Sequence, residues 1–280
     1  MEMSVQVHQD DPRVHEARAL ALAARVKILE MTNSAQSSHV GSALSVVDIL
    51  AVLYSGIAQI TPSSSASDDR DCIILSKGHA ASALYAILGL KGFFPETLLD
   101  TYCSDGGRFG GHVTHHGNPG VELSTGSLGH GLPYGLGVAL SQKKQGRSAR
   151  TFVVLSDGEC DEGTTWESAL LAQQFDLDNL TVIIDRNRIQ SLTFTEDTIA
   201  LEPFADKWEA FNWNVRTVDG HSYNSLFEAL ENQDGPLCVI AETTKGKGVS
   251  FMENKVLWHY RPPSTDDLQA ALVELQIQPQ

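Results

Sequence analysis

Short β-branched and apolar runs alternate along this chain with longer stretches of helical apolar spacing, and polar or glycine-rich joints separate them. Residues 151–155 and 181–184 read as strands, the first a continuous apolar run of the kind buried on both faces of a sheet. Residues 71–75, 213–218 and 237–243 read as three more. Pro12 opens a helix with an apolar stripe at Ala17, Leu20, Ala21, Ala24 and Ile28. Further helices are expected from about Ser45, over 80–94, across Gly131, Gly135 and Gly137, up to about Phe175, and after Ser222, which caps a turn carrying Leu226, Phe227 and Leu230. Such alternation predicts an α/β fold, a mostly parallel central sheet with helices on both faces. With no repeat or composition break, one domain over 12–261 is expected, between a flexible tail at 1–11 and a C-terminal tail at 262–280 that holds one short helix.

The chemistry gathers at the joints. Residues 151–191 form one βαβ unit in which the first strand stops at Ser156-Asp157-Gly158 and the second runs into Asn187, 30 residues beyond Asp157. Thr164 and Glu167 have the spacing of a capping box for the intervening helix. Parallel strands end at one edge, so Asp157 and Asn187 can face one ion, and a carboxylate, an amide oxygen and a main-chain carbonyl suit Mg²⁺ or Ca²⁺. Gly158 lets backbone approach a phosphate closely. Asp-Gly is also an ordinary turn, but a hairpin turn would lead into a strand, whereas a helix pattern follows. His39 sits in a small-residue loop, and His79 in Ser76-Lys77-Gly78-His79, directly after a strand. His112, His115, His116 and His130 cluster in a glycine-rich stretch without the HExxH spacing of a zinc site. The three helix glycines imply close contact with a ligand or a partner helix. Lys245 and Lys247 meet an anion or are solvated.

A chain of 280 residues, 42% of them apolar, can bury a large core. A net charge of −15 without long basic runs argues against nucleic acid and anionic membranes as partners. Neither a signal core nor a stretch of membrane-spanning length is read from the sequence, and a cytoplasmic location is expected. Four scattered cysteines without CxxC spacing point to neither a zinc site nor a disulfide scaffold.

The segment SDGECDEGTTWESA, followed by LDNLTVIIDRNRIQS, resembles the thiamine-diphosphate motif in the form seen in transketolases, with Ser156 where the family has glycine. Further motifs follow in the family's order: SSHVGSA, LSKGHAASALY, GGHV, STGSLGHG and DGH. The resemblance runs from about Arg18 to His259 and is to the N-terminal, diphosphate-binding half of transketolase. It implies a thiamine-diphosphate-binding fold, with Asp157, Asn187 and the Ile189 carbonyl as metal ligands. Gly158, Glu159, Asn187, His79, Gly126, Ser127, Leu128 and His221 are the implied cofactor contacts. His39, His112, His221 and His259 are implied at the substrate and reacting centre, and Glu162 with Glu167 as acids linking paired active sites. Val40 and Val113 replace family prolines, and His115 and His116 are additions, so substrate specificity is expected to differ.

Family members activate thiamine diphosphate with a glutamate from a pyrimidine-binding domain, and this chain ends before such a domain could begin. The resemblance therefore implies the first subunit of a split transketolase, active only with a C-terminal, pyrimidine-domain subunit, in an α2β2 assembly with Mg²⁺ (or Ca²⁺). It would transfer a two-carbon ketol unit from a ketose or ketose phosphate to an aldose-type acceptor. The rivals are a decarboxylating thiamine-diphosphate enzyme, a zinc hydrolase on the His112 region, and a non-catalytic binding module.

Overall fold

A computed structural model describes residues 11–277. Five strands, β1 (Cys72–Leu75), β2 (Thr151–Ser156), β3 (Leu180–Arg186), β4 (Asn214–Asp219) and β5 (Leu237–Glu242), form one sheet in the order β1-β2-β3-β5-β4, every pairing parallel. The helices are α1 (Pro12–Ser34), α2 (Val40–Val52), α3 (Ala81–Leu90), α4 (Gly131–Lys144), α5 (Gly163–Gln174), the short α6 (Thr195–Thr198), α7 (Phe204–Ala210), α8 (Tyr223–Glu231) and α9 (Thr265–Ile277).

Side chains alternate across a strand, and the inner strands bury both sets. Ile73, Phe152, Val154, Ile183 and Val239 join the core that holds α1, α2, α3 and α8. Ile74, Val153, Leu155, Val182 and Ile184 join the opposite core, with residues of α4, α5 and α7. Each fully buried aliphatic side chain contributes about 1.5–3 kcal/mol. That two-sided burial is why these strands read as apolar runs, and the parallel pairing puts the carboxyl ends of β1, β2, β3 and β5 along one edge.

Several elements differ from the sequence-based expectation. Helix α2 begins at Val40 rather than near Ser45, because His39 adopts a left-handed backbone (φ 73°) that turns the chain straight into the helix. The stretch Val40–Ile57 is, against expectation, long and apolar enough to cross a membrane by length and composition, but 94% of it is buried inside the fold as a core element. No capping box forms at α5: the Thr164 hydroxyl donates instead to the Gly129 carbonyl at 2.7 Å, docking the loop before α4 onto the start of α5. Of the expected tails, residues 1–10 lie outside the described residues, Asp11 caps α1, and α9 places Ala271 and Leu275 in the core beside α1.

Of the glycines of α4, Gly135 packs on the sheet and Gly131 on Ser76 just past β1, while Gly137 is exposed. A Cβ on Gly135 would stand 2.4 Å from Val153 Cγ2, whereas one on Gly137 would meet open space. The two positions therefore predict opposite outcomes in urea unfolding of the isolated chain. Gly135→Val should destabilise by roughly 3 kcal/mol through overpacking. Gly137→Ala should stabilise by up to about 1 kcal/mol through helix propensity. Equal effects at both positions would contradict this packing.

Candidate active site

At the carboxyl edge of the sheet lies a cleft of about 260 Å³, lined by His39, Ser42, His79, His112, Gly126, Leu128, Asp157, Gly158, Asn187, Ile189, Lys245, His259 and Tyr260 among others. Four imidazoles crowd one side. His39 stands at the start of α2, with its ring centroid 5.3 Å from that of His79, 5.6 Å from His112 and 5.1 Å from His259. Burial, helped by His112 and Lys245, lowers the His39 pKa to about 4. Burial and then Lys245 take His259 to about 3, and burial with Lys77 holds His79 well below the usual imidazole range. These three rings are neutral at pH 7, so each keeps one donor and one acceptor nitrogen. His79 Nε2 lies 2.9 Å from Ser42 Oγ.

The strand ends supply oxygens. Asp157 is 1% exposed; its Oδ1 accepts from Gly158 N at 2.8 Å, and its Oδ2 from Arg188 N at 2.6 Å and Arg186 Nη1 at 3.2 Å. The Asn187 amide is oriented by its nitrogen, which donates to Ser45 Oγ (3.2 Å) and Asp185 Oδ2 (3.3 Å), while its Oδ1 accepts from Ile189 N at 3.1 Å. The Ile189 carbonyl accepts from Lys245 Nζ at 2.9 Å.

Asp157, Asn187 and Ile189 thus bring three hard oxygens to one cleft, each with lone-pair capacity left, a donor set whose chemistry fits Mg²⁺ or Ca²⁺. The charge balance agrees. Burial, opposed by Arg186 but reinforced by Asp185, raises the Asp157 carboxyl above its ordinary range, and a nearby cation would lower it again. Gly158 lets the Gln190 side chain pack against this turn, since a Cβ there would stand 2.9 Å from Gln190 Cγ. Gly126, at φ 155°, passes so close to His112 that a Cβ would lie 2.9 Å from the ring. Ser156 does not adopt a left-handed backbone, and its hydroxyl accepts from Glu159 N at 3.2 Å, so serine serves this turn in place of glycine.

Beneath the cleft are two lysines whose importance the sequence leaves open. Lys77, fully buried, pairs with Asp185. Lys245, 1% exposed, reaches His259 Nδ1 at 2.8 Å and hydrogen-bonds neutral partners; burial and then Lys77 lower its pKa to about 7. Its neighbour Lys247, with its side chain 40% exposed, is the solvated one. Nothing in the Lys-Gly-Lys-Gly string distinguishes them. Tyr260, exposed at the cleft mouth, carries no signal in the sequence that would mark it as a site residue.

Five residues given site roles from the sequence lie outside this cleft. His221 does not line the cleft: its Nδ1 donates to Asp48 at 2.7 Å and its Nε2 accepts from Thr244 N at 2.8 Å. Glu159 is buried away from the cleft, bracing the loops through Ser76 and Gly129 N. Glu162 is exposed at the start of α5, with Glu167 exposed in its second turn. Ser127 is exposed, 3.4 Å from His130 Nδ1. His115 and His116 pair with each other on the surface, ring centroids 4.0 Å apart. Among the described residues, no three His, Cys, Asp or Glu side chains form a metal-binding group, so nothing there supports zinc at the His112 region.

Residues 16–280 match the family described as "Transketolase, thiamine diphosphate binding domain". The chain belongs to the transketolase family. It is an enzyme subunit of the transketolase type, and its domain is the one that binds thiamine diphosphate in that family. This transketolase-family chain is 40% identical to an apulose-4-phosphate transketolase subunit of Actinobacillus succinogenes, over 93% of the chain and 95% of that protein. It is 36% identical to "6-deoxy-6-sulfo-D-fructose transketolase subunit SqwG" of a Clostridium species, over 94% and 95%. The solved transketolase of Leishmania mexicana superposes with a TM-score of 0.88 at 26% identity, covering 94% of this chain but 42% of that one.

The depressed Lys245 value sets a pH dependence. Between about 7 and the ordinary 10.5 the folded chain binds fewer protons than the unfolded one, so Lys245 costs stability progressively as pH falls from 10.5 towards 7. Lys245→Met removes that cost. Its stability advantage over the ligand-free parent should shrink by roughly 2 kcal/mol between pH 7 and pH 9 in urea unfolding. An advantage equal at both pH values would contradict a desolvated lysine.

Proposed function

We propose that this chain is the diphosphate-binding subunit of a two-subunit transketolase. With Mg²⁺ and thiamine diphosphate it moves a two-carbon ketol unit from a ketose or ketose phosphate to an aldose-type acceptor. The observation that carries this reading is the convergence of Asp157, Asn187 and the Ile189 carbonyl with neutral imidazoles and a desolvated lysine in one cleft. When bound, thiamine diphosphate supplies the nucleophilic carbon that splits the ketose and hands its two-carbon fragment to an aldehyde.

The chain's own residues bind and orient. Asp157, Asn187 and Ile189 would hold the metal, and Lys245 with His79 would meet the diphosphate oxygens. His39, His112 and His259 would bracket the substrate hydroxyls, and a neutral ring can accept a hydroxyl proton as the ketose is cleaved. A hydroxyl-rich donor needs that many hydrogen-bonding groups, whereas pyruvate does not. The partner, on this reading, carries the pyrimidine-binding domain and its activating glutamate, two copies of each chain forming the working enzyme. End-to-end alignment with proteins named as subunits supports the division. We place the enzyme in the cytoplasm, where the four free cysteines stay reduced.

The test is to assay ketol transfer with the purified chain, a co-purified pyrimidine-domain partner, and both together. Activity is expected from the pair alone; turnover by the lone chain would refute the division, and CO₂ release from pyruvate without ketol transfer would refute the reaction. Asp157→Ala and Asn187→Ala should each weaken Mg²⁺-dependent cofactor binding by about 10–100-fold. Unchanged cofactor affinity in either would remove that side chain from the metal site.

A further inference from the structure

The aspartate of α2 that captures His221 has further partners. Asp48 is 2% exposed, and its carboxylate accepts four hydrogen bonds: Arg25 Nη1 (3.0 Å) and Tyr223 OH (2.6 Å) on Oδ1, Arg25 Nη2 (2.5 Å) and His221 Nδ1 (2.7 Å) on Oδ2. Two of these partners reach onward to one loop. Because His221 Nδ1–H donates to Asp48, Nε2 is left as an acceptor, and Thr244 N donates to it at 2.8 Å. Arg25 Nε donates to the Lys247 carbonyl at 3.2 Å. The two attachments lie on either side of Lys245, whose ammonium enters the cleft at Ile189 O (2.9 Å) and His259 Nδ1 (2.8 Å).

We infer that Asp48, acting through His221 and Arg25, is a positioning residue that fixes where Lys245 presents its charge to a bound diphosphate. The inference rests on the reading of the cleft as a diphosphate site. A lysine side chain has four rotatable bonds, so its tip is placed only as well as its backbone is held. Asn254 N donates to the Lys245 carbonyl at 2.9 Å, and the loop on either side is held from behind, through a carboxylate that does not line the cleft. A buried ion pair also punishes half-removal, so Asp48→Asn risks unfolding. The His221 link can be cut more gently.

The test titrates inorganic pyrophosphate with Mg²⁺ onto the full chain by calorimetry, for the parent, His221→Ala, His221→Gln, Lys245→Met and the double variant His221→Ala/Lys245→Met, with thermal melts to confirm folding. His221→Ala is expected to weaken binding about fivefold. His221→Gln, whose amide oxygen can accept from Thr244 N, is expected to recover most of that loss. The double variant should bind no more weakly than Lys245→Met alone, since a residue that acts through Lys245 has nothing left to position. Unchanged affinity in folded His221→Ala, or a double variant that loses the product of both single effects, would overturn the positioning role. Absence of pyrophosphate binding by the parent would instead overturn the diphosphate reading, and this inference with it.

Discussion

Charge withdrawn from water at one edge of a parallel sheet is the constraint on which this structure turns. Asp157, Asp185, Lys77 and Lys245 are each at most 1% exposed. Burying an ion costs several kcal/mol unless partners compensate, and here compensation is uneven. Asp185 is matched: although burial works against its ionised form, the Lys77 ammonium, with Ser45 and Thr243, holds its pKa below the ordinary value. Lys245 is not matched, since it hydrogen-bonds two carbonyls and a neutral imidazole, and its proton affinity falls accordingly. Asp157 lies between these cases, with Arg186 beside it and Asp185 opposing it. A fold gains nothing from such an imbalance, whereas a site for a divalent cation and a polyanion does.

The rest of the cleft follows from how the chain delivers those groups. Parallel pairing brings β2 and β3 to the same edge, and the Ser156–Asp185 register sets the Asp157 and Asn187 loops side by side. Glu159 and Thr164 tie the Gly129 loop to the same strand end, so the Gly126–Leu128 wall is anchored to the segment that carries Asp157. Burial, reinforced by Lys77, Lys245 and the neighbouring imidazoles, keeps His39, His79 and His259 neutral, so each ring can both donate to and accept from a hydroxyl.

Legibility in the sequence tracks how local each signal is. The strand run ending at Asp157, the apolar run ending near Asn187 and the helix between them depend on short-range pattern, so the βαβ unit and the placing of Asp157 and Asn187 at one sheet edge can be read directly, whereas Ile189 enters only through the family resemblance. His221 also ends a strand, but position along a strand does not tell whether a side chain turns into the cleft or behind it, and Asp48, 173 residues away, takes it behind. Lys245 and Lys247 share one motif and differ only in which side of a turn they leave. The early start of α2 is hidden because glycine and serine, weak helix formers, are used there for close packing against the cleft. The docking of α9 is hidden because its burial depends on α1, far away in the chain.

The most direct test is crystallography of the assembled enzyme with thiamine diphosphate and Mn²⁺ in place of Mg²⁺, using the metal's anomalous scattering. The account predicts one strong peak bounded by Asp157, Asn187 and the Ile189 carbonyl, with Lys245 turned towards the diphosphate. A peak elsewhere, or those two side chains directed away from the metal, would contradict it.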